Sequence, residues 1–340
     1  MARFPALAAS VAGCCLLAGC AAEDGPARGT STVATPGERS GTTSSPPAGP
    51  SASPSPSPSA PWRRAGQAVR PADPDDVRVR TALTAVHHLA GRVGPRHGTS
   101  PAYRRAAEWV ERRLVEFGWQ VRRQPFRTPA GVSWGVPVPA GQSVNLVATR
   151  GDVRPGRPWL VVGAHLDTVP QAPGAEDNAS GIGVLLAVAQ AVRETRTRLP
   201  VTLVAFGSEE PRGPGDDDHH FGSRAFVARL PQAGRRSLRG MVSLDRVGVG
   251  AVVPVSSANG PDAMRARLLA AARRADVPTV ARTGNRASDH WSFVRAGLPG
   301  VRLGSTPYAG YHSPGDVPSV VEPAQLRRSA RIVVSWLAPR

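Results

Sequence analysis

Apolar positions along the chain change period several times, and each change marks an element. Residues 4–19, FPALAASVAGCCLLAG, form one unbroken apolar stretch behind Arg3. It is too short and too abruptly ended for a membrane-spanning helix and reads as a secretory signal peptide. From about Glu23 to Pro61 the apolar signal vanishes into Ser, Pro, Gly, Thr and Ala, ending SASPSPSPSAP. That composition cannot bury a core and predicts a semi-extended tether. Helical spacing then appears over Asp76–Ala90 and Pro101–Phe117, the second placing Tyr103, Ala106, Val110, Leu114 and Phe117 on one face before Gly118. Short β-rich runs follow at 143–149, 158–167, 200–209, 240–245, 251–257 and 300–304, with helical candidates at 179–195, 222–229, 261–274, 288–296 and 323–337. Near-continuous apolar strands alternating with helices predict an α/β fold, its mixed, largely parallel central sheet covered by helices on both faces. The chain divides into a leader (1–19), a tether (20–75) and one folded domain (76–340).

Composition sharpens the first two parts. Leu17-Ala18-Gly19-Cys20 sits where apolar sequence gives way to AAEDGPARG and resembles the lipobox of bacterial lipoproteins. The resemblance implies export, with Cys20 lipidated as the first mature residue and anchoring the protein to the outer face of the bacterial cell membrane. Cys14, Cys15 and Cys20 are the only cysteines, so the folded domain rests on its core or on bound metal rather than on disulfides. Basic residues outnumber acidic ones 42 to 25 and all are Arg. They are scattered, without a nucleic-acid motif, so no nucleic-acid partner is expected.

The chemistry concentrates where strands end, the place where open α/β sheets gather ligands. The run LVVGA delivers His165-Leu166-Asp167, VTLVAF delivers Glu209-Glu210, and MVSL delivers Asp245. GYHSPGD carries Tyr311-His312 after the last strand, and Asp177 lies in GAEDNASG before a helix. Taken alone, Asp177 is simplest as a helix N-cap and His165 as a structural histidine. Together they form a carboxylate and imidazole rim that packing has no use for. Such donors without thiolates suit zinc or a similar divalent ion, and the number suits a two-metal hydrolytic site. In His165-x-Asp167, alternate residues point the same way, so Asp167 is expected to orient the imidazole.

The ordered set H-x-D, D-N-x-S-G, E-E, D and Y-H-S resembles the M28 family of metallopeptidases, the zinc-exopeptidase type with two co-catalytic zinc ions. GPRHGTSPAYRRAAEWV (94–110) and SDHWSF (288–293) extend the likeness from about Asp76 to the C-terminus. The resemblance implies that His165, Asp177 and Asp245 bind one metal. Asp177, Glu210 and His312 bind the other, with Asp177 bridging. It makes Glu209 the general base on water, Tyr311 a donor to the oxyanion, and the whole a monomeric aminopeptidase acting on peptides.

Two departures stand out. The loop PRGPGDDDHH carries three Asp and two His, donors able to hold a further ion, but residues 216–220 read rather as a mobile, solvated rim that limits substrate length. Arg246 follows Asp245 where the family usually has an apolar residue, which leaves the side-chain preference open. Gly181-Ile182-Gly183 lacks the rest of a dinucleotide fingerprint and reads as close packing. No G-x-S-x-G or H-E-x-x-H is present. A carboxypeptidase or amidohydrolase on the same site is the runner-up. A surface binding lipoprotein on a retired peptidase fold is the non-enzymatic alternative.

Overall fold

A computed structural model describes residues 69–150 and 153–339, all within one compact unit, Arg64–Arg340. The leader, Cys20 and most of the tether lie outside the described residues. The tether ends earlier than 75: Pro71 bridges to Arg196, the Arg196 N–H donates to the Arg70 carbonyl, and Ala72 is buried. Among the described residues no helix is long and apolar enough to cross a membrane.

Helix α1 (Val79–Val86) runs into a wider turn over 87–93, and α2 (Pro101–Glu116) follows. Ser100 caps α2 by accepting from the Tyr103 N–H at 3.0 Å, with Pro101 in the first turn. The five apolar residues expected on one face are all buried. Strand β1 (Gln120–Thr128), a small hairpin of β2 (Gly131–Ser133) and β3 (Val136–Val138), and β4 (Gly141–Arg150) come next. Strand β5 (Trp159–His165), α3 (Gly181–Ala191), β6 (Val201–Phe206), α4 (Phe221–Ala228), α5 (Gln232–Ser237) and β7 (Leu238–Leu244) form the centre. The chain ends with β8 (Val253–Ser256), α6 (Ala263–Arg274), β9 (Thr279–Arg282), α7 (His290–Arg295), β10 (Gly300–Leu303) and α8 (Pro323–Leu337).

Eight strands form one sheet in the order β1-β4-β6-β5-β7-β10-β8-β9. The middle four run parallel, and β4 and β8 flank them antiparallel. Every residue of β5, β6 and β10 is buried, which is why β5 and β6 read as near-continuous apolar runs rather than as an alternation. The parallel register pairs His165 with Phe206 and Leu303 with Leu244, so β5, β6, β7 and β10 end at one level. That shared rim is the consequence of the topology that matters most.

Nearly all of α3 is buried, between the sheet and helices α1 and α8. Its Ile182, Val184, Leu185 and Leu186 are fully enclosed, each worth about 1.5–3 kcal/mol in transfer alone. Close packing explains the Gly181–Gly183 pair. A Cβ on Gly183 would stand 2.7 Å from the Ala82 carbonyl oxygen, and one on Gly181 2.4 Å from that of Leu244. Gly183→Ala is therefore expected to lower unfolding free energy by about 1–3 kcal/mol through overpacking. Gly260→Ala, whose Cβ enters open space, is expected to stay within about 0.5 kcal/mol in the same denaturant titration.

Candidate metal centre

Strand β5 carries His165 to the rim with almost no exposure. Its Nε2 lies 3.2 Å from Asp177 Oδ1 and 3.9 Å from both Glu209 Oε2 and Asp245 Oδ1. Its Nδ1 meets the Asp167 carbonyl at 3.2 Å, nearer than the Asp167 carboxylate at 3.7 Å. The expected orienter therefore works differently. The carboxylate of Asp167 accepts from the N–H groups of Glu209 at 3.0 Å and Glu210 at 3.2 Å, one on each oxygen. Two successive amides leaving a strand match a carboxylate's two oxygens better than one imidazole N–H does. Asp167 thus fixes the backbone of the glutamate pair and touches the histidine through its main chain.

Asp177 lies in the loop before α3 with non-helical dihedrals, and the peptide bond that follows it is cis. Its neighbour Asn178 does the capping work, accepting from the Gly181 N–H at 2.9 Å while donating to the Leu244 carbonyl. Asn178 is wholly buried, so the N-A-S triplet there offers no glycosylation site. Asp316, four residues after His312, accepts from the N–H groups of Glu176 and Asp177 at 2.8 and 3.0 Å. Arg96 ties the same loop down by donating to the carbonyls of Pro173, Gly174 and Leu166.

Held in this way, the Asp177 carboxylate spans two imidazoles: Oδ1 faces His165, and Oδ2 lies 3.0 Å from His312 Nε2. His312 Nε2 is also 3.5 Å from Glu210 Oε2. Tyr311 stacks on the His312 ring at 3.8 Å, and Trp134 meets it edge-on at 4.3 Å. All eight residues singled out from the sequence thus gather at this rim, seven of them buried and Tyr311 partly exposed. Around His165 two donor sets converge to within 4.8 Å, one with Asp177 and Glu210 and one with Glu209 and Asp245. These differ from the sets implied by resemblance, which paired His165 with Asp177 and Asp245. Each set nonetheless joins His165 to one member of the implied pair, and Asp245 Oδ1 also accepts a 3.1 Å bond from the buried guanidinium of Arg302.

Four carboxylates facing one another out of water are costly unless cations join them. Burial pushes Glu209 and Glu210 each up to about 8, against the pull of His165 and His312 respectively. Burial alone would lower both histidines. The facing carboxylates overcome it, raising His165 well above its ordinary value and His312 to about 10. Glu210 Oε1 and His312 Nδ1 are buried without a hydrogen-bond partner. Nitrogen and oxygen donors 3.0–3.9 Å apart agree with the roughly 3.3 Å spacing of tetrahedral ligands at about 2.0–2.1 Å from zinc. The residues present fit divalent metal.

Sequence reasoning missed four neighbours. His220, from the loop read as a solvated rim, is buried with Nε2 3.1 Å from Glu209 Oε1, although Asp216 and Asp217 beside it are exposed. Its only signal was that it directly precedes the apolar start of α4. Trp134 comes from the hairpin turn and Arg302 from inside a strand, where nothing local marks them. Asp289 is buried in SDHWSF, and burial reinforced by the Glu209 charge raises it to about 7.

A family model described as "Peptidase family M28" matches residues 145–337. The chain is 29% identical over 197 residues to "Uncharacterized protein YfbL" of Escherichia coli K12, covering 55% of this chain and 54% of that one. It is 25% identical over 205 residues to "Aminopeptidase YwaD" of Bacillus subtilis, covering 57% and 44%. The matched region is about half the length of such curated relatives. Among solved structures, BSAP, a zinc aminopeptidase from Bacillus subtilis, superposes with TM-score 0.68 at 15% identity, covering 76% of this chain and 94% of that one. Porphyromonas gingivalis glutaminyl cyclase superposes with TM-score 0.66 at 21% identity, covering 77% and 98%. Both likenesses bear out the mixed, helix-covered sheet.

The raised carboxylates set a pH dependence. Glu209 and Glu210 bind protons more tightly folded and metal-free than unfolded, so their contribution is present below about 4.5 and is lost as pH rises towards 8. Metal-stripped protein is expected to melt at progressively lower temperature from pH 5 to 8.5. Added divalent ion should reverse the loss most strongly at the alkaline end. Calorimetry across that range checks both signs.

Proposed function

The chain belongs to peptidase family M28, and from that premise we propose that it is a metal-dependent aminopeptidase that removes residues from the amino termini of peptides. The observation that carries the reading is the single Asp177 carboxylate shared by His165 and His312, with Glu209 beside it and Glu210 at the second imidazole. Two divalent ions, zinc by the donor set, would be held by His165, Asp177 and Asp245 and by Asp177, Glu210 and His312. When bound, they supply Lewis-acid polarisation of the scissile carbonyl and favour ionisation of the attacking water.

The remaining steps belong to the chain's own side chains. Glu209 takes the proton of the attacking water and returns it to the leaving amine, its Oε2 standing 3.9 Å from His165 Nε2 at the edge of the donor cluster. Asp167 holds Glu209 and Glu210 by their amides, so base and ligand leave one rigid strand end at a fixed separation. Tyr311 donates its phenol to the oxyanion. Burial of its inner side, reinforced by Asp177, raises its pKa and keeps that proton on at neutral pH.

Substitution separates the two glutamates. Glu210→Gln is expected to lose metal, measured by elemental analysis. Glu209→Gln is expected to keep it yet lose at least the roughly 10²–10⁴-fold in kcat typical of general acid–base catalysis, with a smaller change in KM. A chelator should abolish turnover and lower the melting temperature together. Peptides with free amino termini should be cleaved and their N-acetylated counterparts left intact. Cyclisation of amino-terminal glutamine without cleavage would sink the reading.

The place of action is part of the same proposal: a monomer tethered through lipidated Cys20 at the outer face of a bacterial membrane. A single acyl chain anchors only reversibly, whereas two or more hold firmly. Fractionation should therefore find wild-type protein with membranes and Cys20→Ser in the soluble exported fraction. Wild type wholly in the soluble fraction would overturn it.

A further inference from the structure

Arg246 stands directly after Asp245 with a left-handed backbone, φ 55°, and its N–H donates to Asn178 Oδ1 at 3.2 Å. This turn brings its side chain to the wall of a cleft of about 200 Å³, shared with Trp134, Tyr311, His312 and the candidate metal ligands. The guanidinium lies 4.4 Å over the Tyr311 ring, and the side chain keeps 24% of its exposure. Its Nε is 3.7 Å from Asp245 Oδ1, beyond hydrogen-bonding distance.

Asp245 does not need Arg246 as a counter-ion. The same Oδ1 already accepts from Arg302 Nη2 at 3.1 Å, and Arg302 holds the Asp245 carbonyl as well. Among the described residues no hydrogen bond satisfies the Arg246 guanidinium. The cation–π contact with Tyr311 leaves its N–H groups unused. A planar fork of donors, part-desolvated and oriented at the wall of a small cleft, matches a carboxylate. With divalent ions offsetting the four carboxylates below, Arg246 is the fixed positive charge on the cleft wall. The chain's formal charge of +17 steers acidic ligands towards it.

We infer that Arg246 binds a carboxylate of the substrate, so that the site selects peptides with an acidic group beside the scissile bond. The group is either the side chain of an amino-terminal Asp or Glu or the terminal carboxylate of a dipeptide. The inference rests on the aminopeptidase reading and adds the substrate class to it.

The test compares kcat/KM for the p-nitroanilides of Glu, Asp, Leu and Arg, and for the dipeptide Leu-Gly against its C-terminal amide. Each is measured on metal-loaded wild type, Arg246→Met and Arg246→Lys. Metal content and the melting shift given by glutamic acid α-amide against leucinamide are read in parallel. Wild type is expected to favour an acidic substrate by about 10- to 100-fold, the range of a charge-assisted hydrogen bond. Arg246→Met should erase that ratio and the extra melting shift at unchanged metal content, and Arg246→Lys should keep part of both. Preference among the anilides assigns the side chain. Preference only for Leu-Gly over its amide, lost in Arg246→Met, assigns the terminal carboxylate. Equal or better turnover of neutral substrates by wild type, or an acidic preference that survives Arg246→Met, overturns the inference while leaving the aminopeptidase reading intact. Cleavage of none of the substrates overturns both.

Discussion

One carboxylate between two imidazoles sets the terms for everything around it. Asp177 can face His165 with one oxygen and His312 with the other only if its loop, the end of β5 and the loop after β10 are mutually fixed. The topology supplies the first part of that constraint. Four parallel neighbours, β6-β5-β7-β10, end at one level, so residues far apart in sequence emerge side by side. The hydrogen bonds of Asp316, Asn178 and Arg96 supply the second, each tying the Asp177 loop to a different element. Hydrogen bonds of this kind are modest singly, about 0.5–1.5 kcal/mol each, rising to about 1.5–3 where a charged group takes part. Their number makes the loop rigid.

Rigidity is what the buried charge requires. Carboxylates and imidazoles held at 3.0–3.9 Å cannot relax apart, so they must change protonation or gather cations. The elevated Glu209 and Glu210 are one answer and bound metal is the other, so proton and metal compete for the same oxygens. Asp167 shows how the strain is contained: its charge sits on the amides of the two glutamates, where it fixes direction without entering the cluster of donors.

Much of this was legible in the sequence, for identifiable reasons. The buried strands β5, β6 and β7 announced themselves because both faces are covered, so apolar residues dominate them without a strict alternation. Helix α2 was legible from its spacing and the stop at Gly118. Strand β1 was not, since QVRRQPFRT is mostly exposed and carries three arginines and a proline. Its partner β4, not its own pattern, makes it a strand. The hairpin of β2 and β3 was too short to show a period, and with it Trp134 escaped notice. At the site, His165, Asp167, Glu209, Glu210 and Asp245 were visible because they follow the ends of apolar runs, and Asp177, Tyr311 and His312 because they sit in short loop motifs beside them. His220 and Arg302 were hidden because their meaning depends on long-range neighbours. The first belongs to a loop whose other members face water, and the second to a strand where an arginine looks like an error of pattern.

That arginine points to a wider property of the chain. With no lysine available, every fixed cation here is a guanidinium, and several are buried where an ammonium would be expected to lose its proton. Arg96 is fully enclosed and donates to five main-chain carbonyls, so its charge is spread over dipoles that also need partners. Arg302 grips both the carbonyl and the carboxylate of Asp245. A lysine could offer either place a single point of charge, but not the fork that joins two acceptors at once. Arg302 settles the charge of Asp245 from beneath, and this leaves Arg246, one residue further along, to face the cleft.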